Sequence, residues 1–253
     1  MIDRKLFIKP FTEDHLPNWK CPNCNNSVLK IQDDKFLTQN TSNTELYKSE
    51  IWFEPEEHAK LVFTSILICS NDKCKEVVSC SGEVLVDRDY YTNNKGQEDW
   101  HYVKYFKPKF FYPTLHFFQI PENTPENVNK SIQESFSLFF INKSSAANQI
   151  RVALECLLTH LKIKRFNIRK GKRNRLNLHQ RIDLLPSKYQ SIKDLCFAIK
   201  WLGNSGSHCG EQLKSNNIFD GYDLLSALLD ELYHNKQDHA KRLAKKINTK
   251  KGV

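Results

Sequence analysis

The pattern of hydrophobic and polar residues changes character near residue 120. Before that point, Leu61–Cys69 is a β-branched, apolar run of strand length, and Glu76–Val86 alternates in part between apolar and polar positions. Two such runs joined by the short connection Ser70–Lys75 predict a β-hairpin. Tyr105–Ile120 is rich in aromatic residues but contains two prolines, so we expect a packed extended segment there rather than a helix.

Beyond residue 125, apolar residues recur at helical spacing, and the run that ends at Leu202 is expected to end or break at Gly203. The sequence therefore predicts an α+β chain. Its strand-rich N-terminal domain covers residues 1–120, and an all-α helical bundle covers residues 121–253, with the linkage at Pro121–Pro125. The predicted helices are Lys130–Asn142, Ser145–Lys162, Leu178–Leu185, Tyr189–Leu202, Asp220–His234 and Asp238–Ile247.

The charge is divided between the same two halves. The net charge is +9, yet residues 1–145 contain 17 Lys and Arg against 20 Asp and Glu, and residues 146–253 contain 21 against 9. A basic half is typical of proteins that bind a polyanion, usually nucleic acid, although a solvated lysine-rich surface has the same composition. Because the chain has neither a membrane-spanning run nor a signal-peptide core, we expect a cytoplasmic protein without a membrane partner.

Four of the eight cysteines have the spacing of metal ligands. Cys21 and Cys24 flank Pro-Asn, whereas Cys69 and Cys74 flank four residues at the tip of the predicted hairpin. Four thiolates complete a tetrahedral shell, which suits a structural Zn²⁺ ion and leaves no coordination position open for catalysis. The 44 residues between the pairs exceed the usual separation. Cys80 is an alternative to Cys74, and ordinary reduced cysteines are the alternative to a metal site.

A strongly basic segment, Lys162–Arg175, lies between two predicted helices. Eight of its 14 residues are Lys or Arg and none is acidic. Phosphate groups are the natural partners of such a segment, and Phe166 is suited to stack on an unpaired base. A solvated, mobile loop made flexible by Gly171 is the alternative. We predict that nucleic acid is contacted by the cations of this segment and by one from a later helix: Lys164, Arg165, Arg169, Lys170, Lys172, Arg173, Arg175 and Lys200.

Two candidate catalytic residues lie near residue 205. Asn204 and His208 are four residues apart, so they would share one face if the preceding helix continued. Such a pair can hold a phosphate or a ribose hydroxyl, with His208 as general acid or base. The structural alternative is that Asn204 caps a helix and His208 satisfies a buried carbonyl. Arg151 and Glu155 have the same spacing and are expected to pair in a supporting role on a facing helix.

Several short stretches between residues 105 and 250 carry a resemblance to a known family. They are Tyr112–Pro113, Ile120–Pro121, Ser135–Phe140, Ala146–Glu155, Leu178–Ile182 and Ile199–His208. In these stretches the chain resembles family 4145 of bacterial domains of unknown function, which belongs to the HEPN-like helical superfamily. The resemblance implies an all-α C-terminal domain that is usually a homodimer, often preceded by a zinc-ribbon-like module.

The resemblance also bears on catalysis. HEPN ribonucleases use an Arg, an adjacent polar residue and a His, and Asn204 and His208 match the last two. Gly203 stands where the catalytic Arg would be, and Lys200 lies one helical turn earlier. Without that Arg, the positive charge that stabilises the transition state is missing, which argues against full ribonuclease activity.

We therefore expect a nucleic-acid-binding protein, with RNA as the favoured partner, that acts in bacterial defence. Two alternatives stay open. One is a metal-independent endoribonuclease that uses His208 and Asn204. The other is a dimeric adaptor whose zinc module binds a protein partner.

Overall fold

The chain is an α+β protein, described over residues 2–205, 213–233, 244 and 247–249 of the computed structural model. Packing divides it into two compact units. The sheet unit comprises Asp3–His116 together with Phe136–Ile141, and the helical unit comprises Phe117–Ser135 together with the described residues from Asn142 onward. Among the helices in these ranges, none has the length and apolar character needed to cross a membrane.

The sheet unit contains a four-stranded antiparallel sheet whose strands lie side by side in sequence order. The predicted strand Leu61–Cys69 and the predicted hairpin are confirmed. The following strand is longer than predicted, because beyond Val84 it pairs with the last strand alone and continues as a two-stranded arm. The strands are β1 (Leu29–Asn40), β2 (Leu61–Cys69), β3 (Val77–Thr92) and β4 (Glu98–Tyr112).

The aromatic segment before residue 120 enters the sheet as an edge strand, β4, and leaves it after Tyr112. Its Pro108 lies opposite Gly82 at a shift in the β3–β4 register. An edge position with an irregular register tolerates a proline, which has no N–H to donate. A Cβ atom on Gly82 would lie 2.2 Å from the carbonyl oxygen of Lys107, so the close approach of β4 requires glycine at that position.

Aromatic side chains fill the core of the sheet unit. Phe63 stacks on Phe36 with the ring centroids 5.6 Å apart, and both rings meet the edge of Phe106. Trp19 is buried in the same core, and its indole Nε1 donates a hydrogen bond of 2.8 Å to the carbonyl of Leu6. The N-terminal residues that precede the first cysteine are therefore anchored to the sheet.

The helical unit contains the longer helices, most of which the hydrophobic pattern predicts. Asn142 caps the second of them, since its side chain accepts a hydrogen bond from the backbone N–H of Ser145. The predicted helix Asp238–Ile247 falls almost wholly outside the described residues. Three short helices lie in the sheet unit: α1 (Lys5–Ile8), α2 (Ser42–Tyr47) and α3 (Pro55–His58). They are followed along the chain by α4 (Glu126–Phe139), α5 (Lys143–His160), α6 (Leu178–Asp183), a 3-10 helix (Ser187–Ile192), α7 (Lys193–Ser205) and α8 (Ser215–Tyr233).

The sequence predicted that the helix would end or break at Gly203, and this prediction was wrong. Helix α7 passes through it to Ser205. A Cβ atom at Gly203 would lie 2.8 Å from Cβ of Arg151 on α5. The glycine therefore allows α5 and α7 to approach closely, and the prediction was wrong because this role leaves no trace in the local pattern.

A buried polar network holds three helices of this unit together. The hydroxyl of Tyr222 on α8 donates a hydrogen bond of 2.9 Å to the carbonyl of Ser135 on α4. The Ser135 hydroxyl in turn donates to the carbonyl of Ala146 on α5 at 2.8 Å. Burial raises the pKa of Tyr222, so its hydroxyl remains protonated and available as a donor.

Candidate metal centre and arginine-lined pocket

Two turns at one end of the sheet bring the four predicted cysteines together. All four Sγ atoms lie within 4.8 Å of one another. The Sγ atoms of Cys21 and Cys74 are 3.8 Å apart, and those of Cys24 and Cys69 are 3.7 Å apart. Disulfide sulfurs would be about 2.0 Å apart. A tetrahedral ion with Zn–S bonds of about 2.3 Å requires an S–S separation of about 3.8 Å, so the sulfurs fit such an ion.

The two turns are built alike. In each, a residue with positive φ directly follows the second cysteine: Asn25 with φ 54° and Lys75 with φ 49°. The backbone N–H of Asn25 donates to the carbonyl of Cys21 at 2.9 Å, and that of Lys75 to the carbonyl of Asn71 at 3.0 Å. This left-handed step closes each loop tightly and directs both of its thiols to the same point.

Backbone amides stabilise negative charge on some of these sulfurs. Hydrogen bonding from the backbone N–H of Asn26, opposed by partial burial, lowers the pKa of Cys24 to about 6. Burial raises the pKa of Cys21 to about 12 and also raises that of Cys69. Cys69 accepts a hydrogen bond of 3.4 Å from the backbone N–H of Asn71. Buried thiols beside amide donors favour a bound cation, because a cation compensates the cost of burying thiolates.

Cys80 does not belong to this cluster. It is fully buried within β3, opposite Ser65 of β2, and burial raises its pKa. Cys74 rather than Cys80 therefore completes the set of four thiols.

The basic segment is a β-hairpin with two paired strands rather than an irregular loop. Strand β5 (Phe166–Arg169) pairs with β6 (Lys172–Arg175), and the turn residues Lys170 and Gly171 have φ 49° and 70°. Two successive positive φ values are typical of the type I′ turn that fits the twist of a hairpin. All four side chains of β6 are exposed to solvent.

The predicted nucleic-acid contacts fall into different environments. Lys164, Lys170, Lys172 and Arg173 are exposed on or beside the hairpin. The guanidinium carbon of Arg173 lies 3.9 Å from the centroid of the Phe166 ring, so one face of that ring is covered. Of Arg169 only the backbone is described, as part of β5.

Lys200 differs from the exposed hairpin cations in its environment. It is buried on α7, where its Nζ is 3.4 Å from Nδ1 of His179 and 3.2 Å from the centroid of the Trp201 ring. Its amine thus faces a ring nitrogen and an aromatic face rather than open solvent.

An arginine-lined pocket of about 330 Å³ lies within the helical unit. Two of its arginines, Arg165 and Arg175, belong to the predicted basic segment, whereas Arg151 comes from α5 and Arg181 from α6. The only acidic residue among those lining it is Glu155. Sequence reasoning missed Arg181, since an isolated arginine on a short helix carries no charge pattern.

The predicted pair of Arg151 and Glu155 is confirmed, with Nη2 and Oε1 3.0 Å apart. Arg175 approaches the other oxygen of the same carboxylate at 4.0 Å. Arg181 donates to the backbone carbonyl of Glu155 at 3.2 Å and to the hydroxyl of Thr159 at 2.9 Å. Burial, together with the positive charges of Arg165 and Arg175, lowers the pKa of Arg181, while Glu155 opposes this shift.

The candidate catalytic pair is described only in part. Asn204 lies half-buried in the last turn of α7. His208 is outside the described residues, so its distance from Asn204 and from the basic hairpin stays a prediction.

Each half of the chain matches a known family of domains. Residues 9–111 match the model of one domain of unknown function (DUF8608), and residues 133–250 match that of another (DUF4145). The chain thus carries a DUF8608 domain followed by a DUF4145 domain. The predicted resemblance to family 4145 is confirmed, although the match begins at residue 133, after Tyr112–Pro113 and Ile120–Pro121. No curated protein and no solved structure matches the chain.

The two candidate sites belong to different domains. All four cysteines of the thiol cluster lie in the DUF8608 domain, and all four arginines of the pocket lie in the DUF4145 domain. Each site can therefore be tested without altering a residue of the other domain.

Proposed function

We propose that this protein binds nucleic acid, with RNA as the favoured ligand, through the basic hairpin of its DUF4145 domain. The observation that carries the proposal is the hairpin itself. It exposes Lys170, Lys172, Arg173 and Arg175 on a backbone that strand pairing and a two-residue turn define. Exposed cations on a defined backbone suit a phosphate backbone, because the main chain that carries them is already ordered before binding.

We also propose that the DUF8608 domain holds one structural zinc ion, in the manner of a zinc ribbon. The tetrahedral spacing of the four sulfurs supports zinc over a disulfide pairing. With four protein ligands the ion has no open position, so its contribution is to the folding of the sheet end rather than to chemistry. The helical domain would then carry the binding function within a HEPN-like fold.

Fluorescence anisotropy with labelled single- and double-stranded RNA and DNA tests the first proposal. Affinity should fall steeply as the salt concentration rises. In a plot of log K against log salt concentration, each contact to a single-strand phosphate contributes about −0.7 to the slope. Replacing Lys170, Lys172 and Arg173 by Gln should therefore reduce the magnitude of that slope by about 2.

A triple variant in the sheet unit provides the matched control. Lys9, Lys30 and Lys95 are exposed, and replacing them by Gln removes the same total charge. This variant should bind like the wild type. If none of the four nucleic acids binds at low salt, or if both triple variants bind alike, the hairpin is not a nucleic-acid interface.

A second candidate function is metal-independent endoribonuclease activity. One contact favours it: Arg151 passes over Gly203, the position at which the family resemblance expects a catalytic Arg. The missing guanidinium would then come from the facing helix. RNA cleavage that persists in chelator and is abolished by His208→Ala would support this function. Absent cleavage, or cleavage that survives in His208→Ala, would refute it.

A further inference from the structure

The arginine-lined pocket differs from the exposed hairpin in being concave and in drawing its cations from four parts of the helical unit. Arg151 lies on α5, Arg165 just before β5, Arg175 at the end of β6, and Arg181 on α6. Four guanidinium groups against one carboxylate give the lining a formal charge of +3. Such clustering is unfavourable without an anion, since like charges in a partly desolvated site repel each other.

Unmet hydrogen-bond donors accompany this charge. Arg181 is 4% exposed, and its buried Nε has no acceptor among the described residues. The buried Nε of Arg151 likewise has none. Buried N–H groups in proteins nearly always find partners, and both of these donors belong to residues that line the pocket.

A second cavity of about 400 Å³ adjoins the first and shares Glu155, Arg165 and Arg181 with it. Its wall includes the apolar side chains of Val128 and Val152. Asn127 and His160 line it as well, so a ligand that extends from the arginines into this neighbouring space would meet both apolar and polar side chains. The two cavities together suit a phosphate attached to a nucleoside better than a bare inorganic ion.

We infer that the arginine-lined pocket binds a phosphate monoester, as found at the end of a nucleic-acid strand. A monoester carries close to two negative charges at neutral pH and three terminal oxygens, whereas an internal diester carries one charge and has its chain continuing on both sides. The concave, strongly positive pocket favours the doubly charged terminal group. This inference rests on the proposed function for the source of the ligand, and a free mononucleotide is the other source of the same chemistry.

Binding of matched oligonucleotides tests the inference. The same RNA is prepared with a 5′-phosphate, with a 3′-phosphate and with hydroxyls at both ends. We expect one of the phosphorylated forms to bind about tenfold more tightly than the hydroxyl form, as for one charge-assisted contact. Arg165→Gln and Arg175→Gln should remove that difference. Both residues are exposed, so the variants should keep the fold, which a thermal melt verifies.

Arg173→Gln is the matched control. Arg173 lies on the same strand as Arg175 but does not line the pocket. Its loss removes the same charge, so overall affinity should fall while the preference for a terminal phosphate stays. Nucleic-acid binding without any end preference, or a preference that survives Arg165→Gln and Arg175→Gln, overturns the pocket assignment and leaves the proposed function standing.

A calorimetric titration with nucleoside monophosphates separates the two sources. If no nucleic acid binds, the proposed function fails. Binding of a monophosphate that Arg175→Gln abolishes and Arg173→Gln retains would still support the pocket, with a small molecule as the ligand. If neither a terminal phosphate nor a monophosphate binds, the inference is wrong.

Discussion

Removing one thiol from the cysteine cluster should release the metal and open one end of the sheet unit. The turn that carries Cys21 and Cys24 is held mostly by hydrogen bonds of its own, such as that from the N–H of Cys21 to the carbonyl of Ser27 at 2.8 Å. The main chain ties it to the second turn where Leu29 of β1 pairs with Cys69 of β2, and through a bond of 2.9 Å from the N–H of Ser70 to the carbonyl of Val28. A bound ion would add a connection beyond these two turns' junction with the sheet.

The size of the expected effect follows from the thermodynamic linkage between zinc binding and the closed form of the two turns. At a free zinc concentration about 1,000 times the dissociation constant, binding stabilises the closed form by about 4 kcal/mol. Cys74→Ser leaves three thiolates, so this stabilisation should be lost under the same conditions. Hydrogen exchange of the amides in residues 20–28 and 69–76 should then become about a thousandfold faster, since 1.4 kcal/mol corresponds to about a factor of ten. Amides of α5 should be unaffected.

Metal analysis and hydrogen exchange by mass spectrometry measure both effects. The wild type should contain one zinc per chain, with X-ray absorption showing four sulfurs at about 2.3 Å from the ion. Cys80→Ala serves as the control, because Cys80 is buried outside the cluster and should leave the metal content unchanged. A wild type without metal, or a Cys74→Ser variant that retains full zinc and full protection, would refute the reasoning.

Five further substitutions test the fold, and the free energy of unfolding of each variant is measured in urea. Tyr222→Phe removes a buried hydrogen bond and should lower the free energy of unfolding by about 1–2 kcal/mol. Gly203→Ala should lower it by about 1–3 kcal/mol despite the better helix propensity, whereas Gly221→Ala, which meets only the tips of flexible side chains, should change it less. Asn177→Ala should cost about 1 kcal/mol by removing a capping box. Arg181→Met should leave stability within about 1 kcal/mol or raise it.

Features set by local sequence were predicted well. Strand β2 coincides with the apolar run that predicted it, because β-branched and apolar residues over the length of a strand favour β-structure locally. The four cysteines were found because turn residues separate each pair, and the structure brings their Sγ atoms within 4.8 Å of one another. Both signals depend on residues that are close in the chain.

The basic hairpin was missed because its composition conflicts with its conformation. Lys172–Arg175 has none of the β-branched or aromatic residues that usually mark a strand. The signal that remained was the pair Lys170-Gly171, and a Gly in second place of a two-residue turn is favourable for a hairpin. From the sequence alone, Gly171 was interpreted as a source of flexibility rather than as part of a turn.

The pocket could not be predicted, because it depends on contacts between distant residues. Its arginines span positions 151 to 181 and come from four different parts of the helical unit. Counting charges along the chain identified the basic segment, where cations are contiguous. It did not identify Arg181, whose neighbours in sequence include no other cation. Gly203 was misinterpreted for the same reason, since its partner Arg151 lies on another helix.

The hydrogen bonds of Arg181 indicate whether its main role is to stabilise the fold or to bind a ligand. A structural buried arginine is normally paired with a carboxylate, and removing one partner of such a pair costs about 3–5 kcal/mol. Arg181 instead donates to a backbone carbonyl and a hydroxyl, both neutral. That carbonyl, of Glu155, also accepts from the hydroxyl of Thr159 at 2.9 Å, so it keeps a partner when Arg181 is replaced. Arg181→Met should therefore relieve repulsion from Arg165 and Arg175 without orphaning an acceptor, while it weakens phosphate binding. A loss of more than about 3 kcal/mol would instead mean that Arg181 holds the fold together.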